Sequence, residues 1–444
     1  MEKNKFNTKF RDYARTLSPK TEERVMISKI YQSFNDLLGI NNCIQIGSYP
    51  RFTVITPIHD LDILYFLGNW NENNHNPTAV LQNLNTQINN DYKNPTDYKI
   101  VVIIQTHSVT ISYQKNSEEI VSVDIVPAYF YSKNEFAEDT YKVPEVIRKK
   151  HGKRRVEYYQ KLSQEKREMG WITSDPRGYI KIASDVNNLT NGEFRKTVKI
   201  IKVWNNNLTN EDPSCKLKSF HLEQIITKYF IDNKNIEIFD VVFKFFVELS
   251  EIINKPNQIK DRANDDKFID EYLEDFTNFQ KEKIKQARDC FLAKLESFSE
   301  RNLITDLFKV CFYKRNSETE QFLFDSNLPI LVESNRFRID GFIQKKDGFR
   351  DGWLSEVDNK IAKGRKIKFS IKNDVEKNYS MWKVQNDKKS DEVLNASAIR
   401  GEITKNSTRN NPESTAYKGR HYVEGYAIKD NICVARSRID VVID

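Results

Sequence analysis

The stretch GSYPRFTVITPIHDLDIL, residues 47–64, decides how the first part of this chain folds. It opens with a Gly-Ser pair and ends in the apolar run of a strand predicted over residues 61–67. Asp60 and Asp62 are two residues apart at the start of that predicted strand, so their side chains point to the same face. The residue between them is apolar and points to the opposite face, toward a core. The sequence therefore predicts two carboxylates presented by a half-buried strand.

A third acidic residue, Asp124, lies in another apolar run that is also predicted as a strand, residues 120–130. If the two strands are neighbours, three carboxylates meet, and they repel one another unless a cation lies between them. Oxygen ligands without a His or Cys cluster favour Mg²⁺ or Mn²⁺, and two such ions can activate a hydroxyl group and stabilise pyrophosphate. A single strand aspartate can instead protect a sheet edge, but three in apolar runs suit that role poorly.

The Gly-Ser pair, Gly47 and Ser48, lies twelve residues before Asp60 and directly after an apolar run. Such a turn offers backbone N–H groups and a hydroxyl, which suit a triphosphate, and Arg51 is a further candidate phosphate contact. A Gly-Ser pair alone is an ordinary turn. Its combination with Asp-x-Asp at this distance predicts a nucleotide site.

These motifs resemble those of the DNA polymerase β-like nucleotidyltransferases. Together with VDIVPAY and the helical stretch that follows, they look closest to the bacterial cGAS/DncV-like nucleotidyltransferases (CD-NTase/SMODS), which work in antiviral signalling. The resemblance implies that Gly47 and Ser48 hold the donor phosphates and that Asp60 and Asp62 bind two metal ions. It also implies that Asp124 binds the catalytic metal and helps to deprotonate the acceptor hydroxyl.

A helix predicted over residues 191–206 carries Arg195, Lys199 and Lys202 at spacings of four and three, so they share one face. This face is either a basic ridge opposite the triphosphate or the solvated side of an ordinary amphipathic helix. Members of the family carry a phosphate-binding Lys on the helix before a short Ser-containing segment. By that resemblance Lys202 and Ser219 match these places, with Lys199 as the second candidate for the Lys.

From about residue 327 the chain changes to short runs of β-branched and aromatic residues separated by polar segments, which predict an all-β, sandwich-like domain. Lys429, Asp430 and Asn431 are predicted to turn a terminal hairpin. The blocks MWKVQN, AIRGEI and HYVEGYAI resemble the adenylyl/guanylyl-cyclase-and-SMODS C-terminal sensor (AGS-C) domain. That resemblance implies detection of a nucleotide or partner rather than chemistry.

The whole chain is therefore expected to be α+β, with a polymerase β-like sheet, a helical lobe and a C-terminal all-β sandwich-like domain. Residues 1–170 are predicted to form the catalytic core with an N-terminal helix, which begins near residue 8 and runs to residue 38. Residues 171–326 are predicted to form a helical lobe that closes the cleft, and residues 327–444 the sensor-like domain.

Composition narrows the class of protein without locating the site. The 444 residues include 70 basic and 63 acidic side chains, and the net charge of +7 permits an anionic partner without indicating one. Five scattered cysteines argue against a zinc site and a disulfide framework. No apolar stretch approaches the roughly 20 residues of a transmembrane helix, and no signal peptide is visible, so we expect a cytoplasmic protein without stable membrane association.

The sequence thus predicts a metal-dependent, ATP-binding nucleotidyltransferase that joins NTP or dNTP substrates into a nucleotide signal and releases pyrophosphate, using two Mg²⁺ or Mn²⁺ ions. By the family resemblance it acts in bacterial anti-phage defence, with a nucleotide-responsive effector encoded nearby. The sequence does not decide between a cyclic and a linear product, and the linear products include template-independent DNA oligonucleotides. A non-catalytic nucleotide sensor, or transfer of a nucleotide onto a macromolecule, is an alternative. The sequence does not decide whether the chain binds nucleic acid.

Overall fold

The chain forms two compact units, as seen in a computed structural model. The N-terminal unit comprises Phe10–Val242 and Glu251–Lys281, and the C-terminal unit comprises Met1–Lys9, Phe243–Ser250 and Glu282–Asp444. The last part of the predicted catalytic core, residues 147–169, lies outside the described residues. The structure describes residues 1–71, 76–146, 170–332, 336–346, 348, 350–390, 392–393, 396–405 and 412–444.

The first elements include a seven-stranded sheet ordered β1-β2-β5-β4-β3, to which β6 and β7 are added beside β5. Strands β2 and β5 run parallel, while the other pairs in this sheet are antiparallel. The elements are α1 (Lys3–Thr16), α2 (Thr21–Leu38), β1 (Cys43–Ile46), β2 (Asp60–Asn69), α3 (Pro77–Asp91), β3 (Lys99–Ile104), β4 (Val109–Lys115), β5 (Glu118–Lys133), β6 (Asp139–Pro144) and β7 (Trp171–Ser174).

One face of this sheet packs against α2 and α3. Leu61 and Ile63 of β2 are fully buried there with Phe34 of α2, which confirms the predicted alternation along the strand. The predicted single N-terminal helix is wrong, because α1 ends at Thr16 and α2 begins at Thr21. Pro19 lies in the break, where a proline restricts the preceding residue and lacks an N–H donor.

A mainly helical segment follows. Its helix with the basic residues begins two residues later than predicted, because Gly192 precedes it with a φ of +81° in the left-handed region, which favours glycine. The elements are α4 (Pro176–Leu189), α5 (Glu193–Glu211), α6 (Ser219–Asp232), α7 (Ile238–Asn254), β8 (Lys260–Asp261), β9 (Asn264–Phe268), α8 (Asn278–Ser297) and α9 (Ile304–Phe308).

The C-terminal unit contains two sheets whose facing side chains share one core, including Phe369 of one sheet and Trp382 of the other. The sheets are ordered β11-β10-β13-β16 and β12-β18-β17-β14-β15. The elements are β10 (Arg338–Ile343), β11 (Gly352–Trp353), β12 (Lys360–Ile361), β13 (Lys366–Asn373), β14 (Tyr379–Gln385), α10 (Ala396–Ile399), β15 (Arg400–Thr404), β16 (Glu413–Ser414), β17 (Gly419–Lys429) and β18 (Ile432–Ile443).

The terminal hairpin turns within the predicted segment, at Asp430 and Asn431 with φ values of 50° and 61°, while Lys429 still belongs to β17. Both residue types tolerate this conformation, which two-residue hairpin turns require. Together the two units confirm the α+β fold class and the sandwich-like C-terminal sheets. No helix within the described ranges is long and apolar enough to cross a membrane.

The prediction that argued against a disulfide framework missed one disulfide bond. Cys290 and Cys311 form a disulfide, with their Cα atoms 5.7 Å apart, although they are separated by 21 residues in sequence. Cys290 lies in α8, and the chain returns beside that helix after α9, so the pairing depends on the tertiary fold. The other three cysteines are free and buried.

Candidate active site

The three predicted aspartates line one cavity of about 570 Å³ in the N-terminal unit. The parallel pairing of β2 and β5 places Asp62 directly opposite Asp124, while Asp60 lies opposite Ser122. The Ser122 hydroxyl donates a hydrogen bond of 3.0 Å to Asp60, and Asp124 accepts hydrogen bonds from the hydroxyls of Thr110 and Ser108. The sequence alone did not establish that β2 and β5 are neighbours. The structure pairs them, and this pairing brings all three aspartates to the cavity.

The electrostatics of this cavity disfavour three bare negative charges. Burial, followed by the charges of Asp124 and Asp60, raises the pKa of Asp62 to about 7 against the opposing effect of nearby cations. Burial also raises the pKa of Asp124, despite the hydroxyl hydrogen bonds that favour its charged form. A cation among these carboxylates would relieve the repulsion.

The chemistry of this donor set fits a hard divalent ion, since the three acidic side chains offer only carboxylate oxygen. Among the residues that the structure describes, no three or more His, Cys, Asp or Glu side chains are already gathered tightly enough to hold a metal. The three aspartates, Asp60, Asp62 and Asp124, therefore line the same cavity and repel one another, but they do not form a preformed metal-binding cluster. They are the residues that could hold Mg²⁺ or Mn²⁺.

Gly47 lies against Asp62 in a position that strongly favours glycine. Strand β1 ends at Ile46, which pairs with Asp62, so the chain turns directly beside the carboxylate. The φ of Gly47 is +74°, and a Cβ atom added there would lie 1.8 Å from Asp62 Oδ2. Gly47 and Ser48 both line the cavity, as the sequence predicted for the phosphate end of a nucleotide site.

A buried ionic network forms another wall of the cavity. Arg51 and Lys202 both line the cavity, yet both also face Glu223 of α6, which is fully buried. Arg51 Nε donates to Glu223 Oε1 over 2.5 Å, and Lys202 Nζ lies 3.6 Å from Oε2. Thr53 completes the network, since its hydroxyl donates to Glu223 over 2.8 Å and its carbonyl accepts from Lys202 over 3.0 Å.

Glu223 remains the anion of this network. Burial alone would raise its pKa, but the charges of Arg51 and Lys202, with the hydrogen bond from Thr53, hold the pKa below its ordinary value. Burial lowers the pKa of Lys202, and the charge of Glu223 opposes that effect. Sequence reasoning missed Glu223, although a lone carboxylate in the apolar stretch HLEQIITKYF is a detectable signal.

The structure separates the basic residues that were predicted to act together. Ser219 begins α6 and lines the cavity with Lys202. Lys199 is not among the residues that line it, and its ammonium group donates to the Ser18 hydroxyl over 2.9 Å. Arg195 is also not among the lining residues, and its Nε donates to the carbonyl of Arg51 over 3.0 Å.

An aromatic pair and a fourth carboxylate line the cavity as well. The rings of Tyr179 and Phe220 meet edge to face with centroids 4.7 Å apart, and the Tyr179 hydroxyl donates to Asp261 over 3.1 Å. Such rings suit stacking against a nucleobase. Sequence reasoning missed these residues because they come from α4, α6 and β8, and no local motif links them.

Comparison with known proteins adds independent information on the family. Residues 317–444 match the family model of the adenylyl/guanylyl and SMODS C-terminal sensor domain. A protein of Bacillus cereus (strain VD146) named "Probable cyclic nucleotide synthase" is 24% identical over 223 residues, covering 46% of this chain and 60% of that protein. The chain thus matches less than two thirds of that relative's length. Both similarities agree with the predicted resemblance to CD-NTases with an AGS-C domain, which is confirmed.

Solved structures that are similar to this chain include two from Escherichia coli. The structure of E. coli MS115-1 CdnC with ATP gives a TM-score of 0.48 at 18% identity, covering 69% of this chain and 98% of that one. The 3'-deoxy GTP bound form of Escherichia coli DncV gives a TM-score of 0.41 at 14% identity, covering 68% of this chain and 78% of that one.

Proposed function

We propose that this protein is a metal-dependent nucleotidyltransferase that joins nucleoside triphosphates into a nucleotide signal and releases pyrophosphate. The observation that carries the proposal is the pairing of Asp62 with Asp124 on adjacent parallel strands, beside the Gly47-Ser48 turn and in one cavity. The relative named as a probable cyclic nucleotide synthase supports this class of reaction. The product is a cyclic or linear oligonucleotide.

The three aspartates are proposed to hold two Mg²⁺ or Mn²⁺ ions. When bound, these ions offset the charge of the carboxylates, favour the ionised acceptor hydroxyl and stabilise the leaving pyrophosphate. Asp60 and Asp62 are proposed to hold both ions, and Asp124 one of them. Burial and, after it, the charges of the neighbouring carboxylates raise the pKa of Asp62. The repulsion among these carboxylates supports the assignment, because a divalent cation would offset it.

The donor triphosphate is proposed to lie against the turn and the buried ionic network. Gly47 offers a backbone N–H and Ser48 a hydroxyl, and Ser219 stands in the wall of the same cavity. Arg51 and Lys202 carry two positive charges against the single negative charge of Glu223, which leaves one net positive charge facing the cavity. That surplus suits a polyphosphate, while the carboxylate keeps both cations in fixed places.

The proposed reaction forms one bond and breaks one. The hydroxyl oxygen of the acceptor attacks the α-phosphorus of the donor, and the bond from that phosphorus to the bridging oxygen breaks. The β- and γ-phosphates then leave as pyrophosphate. Asp124 is the proposed acceptor of the hydroxyl proton, since its carboxylate lines the cavity directly opposite Asp62.

The β-rich domain over residues 327–444 is proposed to sense a nucleotide or a partner rather than to take part in the chemistry. Its match to the sensor-domain family supports this role. Within a bacterial cell, the nucleotide product would act on an effector protein in defence against phage. This biological role rests on the family resemblance.

Mass spectrometry of reaction products tests the proposal. The purified chain is incubated with Mg²⁺ or Mn²⁺ and pooled NTPs and dNTPs, and new phosphodiester products are sought in the small-molecule fraction. We expect cyclic or linear oligonucleotides together with pyrophosphate, and neither should form in the presence of EDTA. Nucleotide binding without product under every metal and substrate mixture would contradict the proposal and favour a non-catalytic sensor. Nucleotide label recovered only in protein or RNA would redirect it to macromolecular transfer.

A further inference from the structure

Glu23 of α2 is bonded to the segment of chain that leads into the cavity of the proposed active site. Its Oε1 accepts a hydrogen bond of 2.9 Å from the Ile58 N–H, and its Oε2 accepts one of 2.8 Å from the Thr56 hydroxyl. These partners lie 35 and 33 residues further along the chain, in the connection between β1 and β2. Glu23 therefore joins α2 to a segment outside its own helix.

The same carboxylate also has an ordinary role within its own helix. Glu23 is the third residue of α2, and its Oε2 accepts a hydrogen bond of 2.7 Å from the N–H of Lys20, just before the helix begins. Such a bond satisfies one of the N–H donors that a helix start leaves free. It needs a single acceptor, so helix capping does not explain the bonds to Thr56 and Ile58.

The segment over residues 54–59 has one side toward the cavity and the other toward α2. Ile58 is 2% exposed and lies in the core that includes residues of α2, while the Thr56 hydroxyl is bonded to Glu23. A displacement of Thr56 or Ile58 would therefore move a wall of the cavity. The residues of the segment that line the cavity are Val54, Ile55, Pro57 and His59.

Glu23 holds the middle of this segment, and other groups hold its ends. Before the segment, the Thr53 hydroxyl donates to Glu223. At its end, the His59 carbonyl accepts a hydrogen bond of 2.7 Å from the Ser122 N–H. Asp60 follows directly, only two residues after the Ile58 N–H that Glu23 binds. The place of this carboxylate in the cavity therefore depends on a segment that Glu23 helps to fix.

The hydrogen bonds to Glu23 favour its charged form. Burial alone would raise its pKa, but the bonds from the Lys20 N–H, the Thr56 hydroxyl and the Ile58 N–H hold the pKa below its ordinary value. Hydrogen bonds to an ionised acceptor are stronger than those between neutral groups. The attachment of the segment to α2 is therefore a strong one.

We propose that Glu23 is a positioning residue of the active site, which fixes the segment over residues 54–59 and so holds Asp60 in place to bind metal. Within the described part of the chain, Glu23 is not among the residues that line the cavity, so it acts through Thr56 and Ile58. The metal-binding part of this inference rests on the proposed function. A misplacement of about 1 Å that arises away from the reacting atoms can slow a reaction roughly a hundredfold.

Two variants weaken the attachment in different ways. Glu23→Gln removes the charge and one acceptor oxygen, while Thr56→Val removes only a hydroxyl and leaves the bond to Lys20 intact. Thr56→Val therefore decides the test if Glu23→Gln does not fold. Glu22→Gln is the matched control, because Glu22 also lies in the first turn of α2, near the same helix dipole, but is exposed.

Hydrogen–deuterium exchange and Mn²⁺ binding are measured on the full chain without nucleotide. In Glu23→Gln we expect exchange of the Ile58 amide to speed up about tenfold, since its charged acceptor is lost. The dissociation constant of Mn²⁺, followed by the EPR signal of the free ion, should also rise about tenfold, as for loss of a group that orients a metal ligand. Thr56→Val should change both in the same direction by a smaller factor, and the control should change neither.

Mn²⁺ binding separates positioning from a merely structural role. Partial unfolding would lower the amount of ion bound at saturation, whereas displacement of Asp60 would weaken the affinity of each folded molecule. The Asp60→Asn/Asp62→Asn variant gives the background from other acidic groups.

Each outcome has a defined meaning. Unchanged exchange of the Ile58 amide would overturn the proposal. Faster exchange with an unchanged Mn²⁺ dissociation constant would overturn it as well, because Glu23 would then hold the segment without positioning a metal ligand. Absence of Mn²⁺ binding by the wild type would overturn it together with the metal assignment. Mn²⁺ binding that depends on Glu23, in a chain that forms no product, would support the proposal and contradict only the proposed reaction.

Discussion

Replacing Glu223 with alanine should destabilise the N-terminal unit much more than the loss of a surface carboxylate does. Glu223 is 0% exposed, and its partners Arg51 and Lys202 are 7% and 5% exposed. Among the described residues, Glu223 is the only acidic group within ion-pair distance of either cation, and the substitution removes it. The charges of Arg51 and Lys202 would then be buried away from water without their ion-pair partner.

The expected magnitude follows from this burial. Removing one partner of a buried ion pair costs about 3–5 kcal/mol, because the remaining charge is uncompensated. The matched control is Glu251→Ala, which breaks an exposed pair with Lys255 whose side chains are 65% and 68% exposed. An exposed pair of this spacing contributes far less to stability, because solvent and salt screen its charges.

Hydrogen–deuterium exchange of α5 and α6 provides the assay. A loss of about 3–5 kcal/mol should speed exchange of the most protected amides there by a factor of roughly 10² to 10⁴, at about 1.4 kcal/mol per tenfold change. The control variant should change the same amides by less than about threefold. If Glu223→Ala speeds exchange no more than Glu251→Ala, the network does not hold the unit together and this reasoning is refuted.

Three further predictions concern the turn, the metal and a buried acid. Gly47→Ala should strongly reduce product formation without unfolding, because its Cβ would displace the Asp62 carboxylate; unchanged turnover would contradict the close approach. Chelation by EDTA should stop product formation and added Mg²⁺ should restore it; activity that survives full chelation would exclude the metal role. Burial raises the pKa of Glu296 from 4.5 to about 8, so the free energy of unfolding should fall as pH rises through that window. In urea denaturation, Glu296→Gln should therefore gain stability over the wild type at pH 9 but not at pH 4, and equal gains at both would refute the assignment.

The acidic part of the candidate site could be predicted because its signal is local. The two-residue period of a strand fixes the shared face of Asp60 and Asp62, and apolar neighbours at Leu61 and Ile63 fix the buried face. Placing Asp124 beside them required the assumption that its strand is the neighbour of the strand that carries Asp60 and Asp62. The parallel pairing of β2 and β5 confirms that assumption. The terminal hairpin was predictable for the same reason, since its turn residues are adjacent in sequence.

Features that depend on tertiary packing could not be predicted. Helical spacing correctly places Arg195, Lys199 and Lys202 on one helix, but it does not determine which of them reaches the cavity. Glu223 faces Arg51 across 172 positions of sequence, and the disulfide depends on how the chain returns after α9. The missing information in each case is which surfaces pack together, and a single sequence does not contain it in any short motif.

Pyrophosphate release by carboxylate variants tests the central claim most directly. The wild type, the double variant Asp60→Asn/Asp62→Asn and the control Asp185→Asn are compared with pooled NTPs and Mg²⁺. Asp185 is an exposed residue of α4 whose partner is Lys181, so its substitution makes the same chemical change away from the cavity. We predict that the wild type and the control release pyrophosphate at similar rates and that the double variant releases none above background. Full turnover by the double variant would contradict the assignment of this cavity as the site of nucleotidyl transfer.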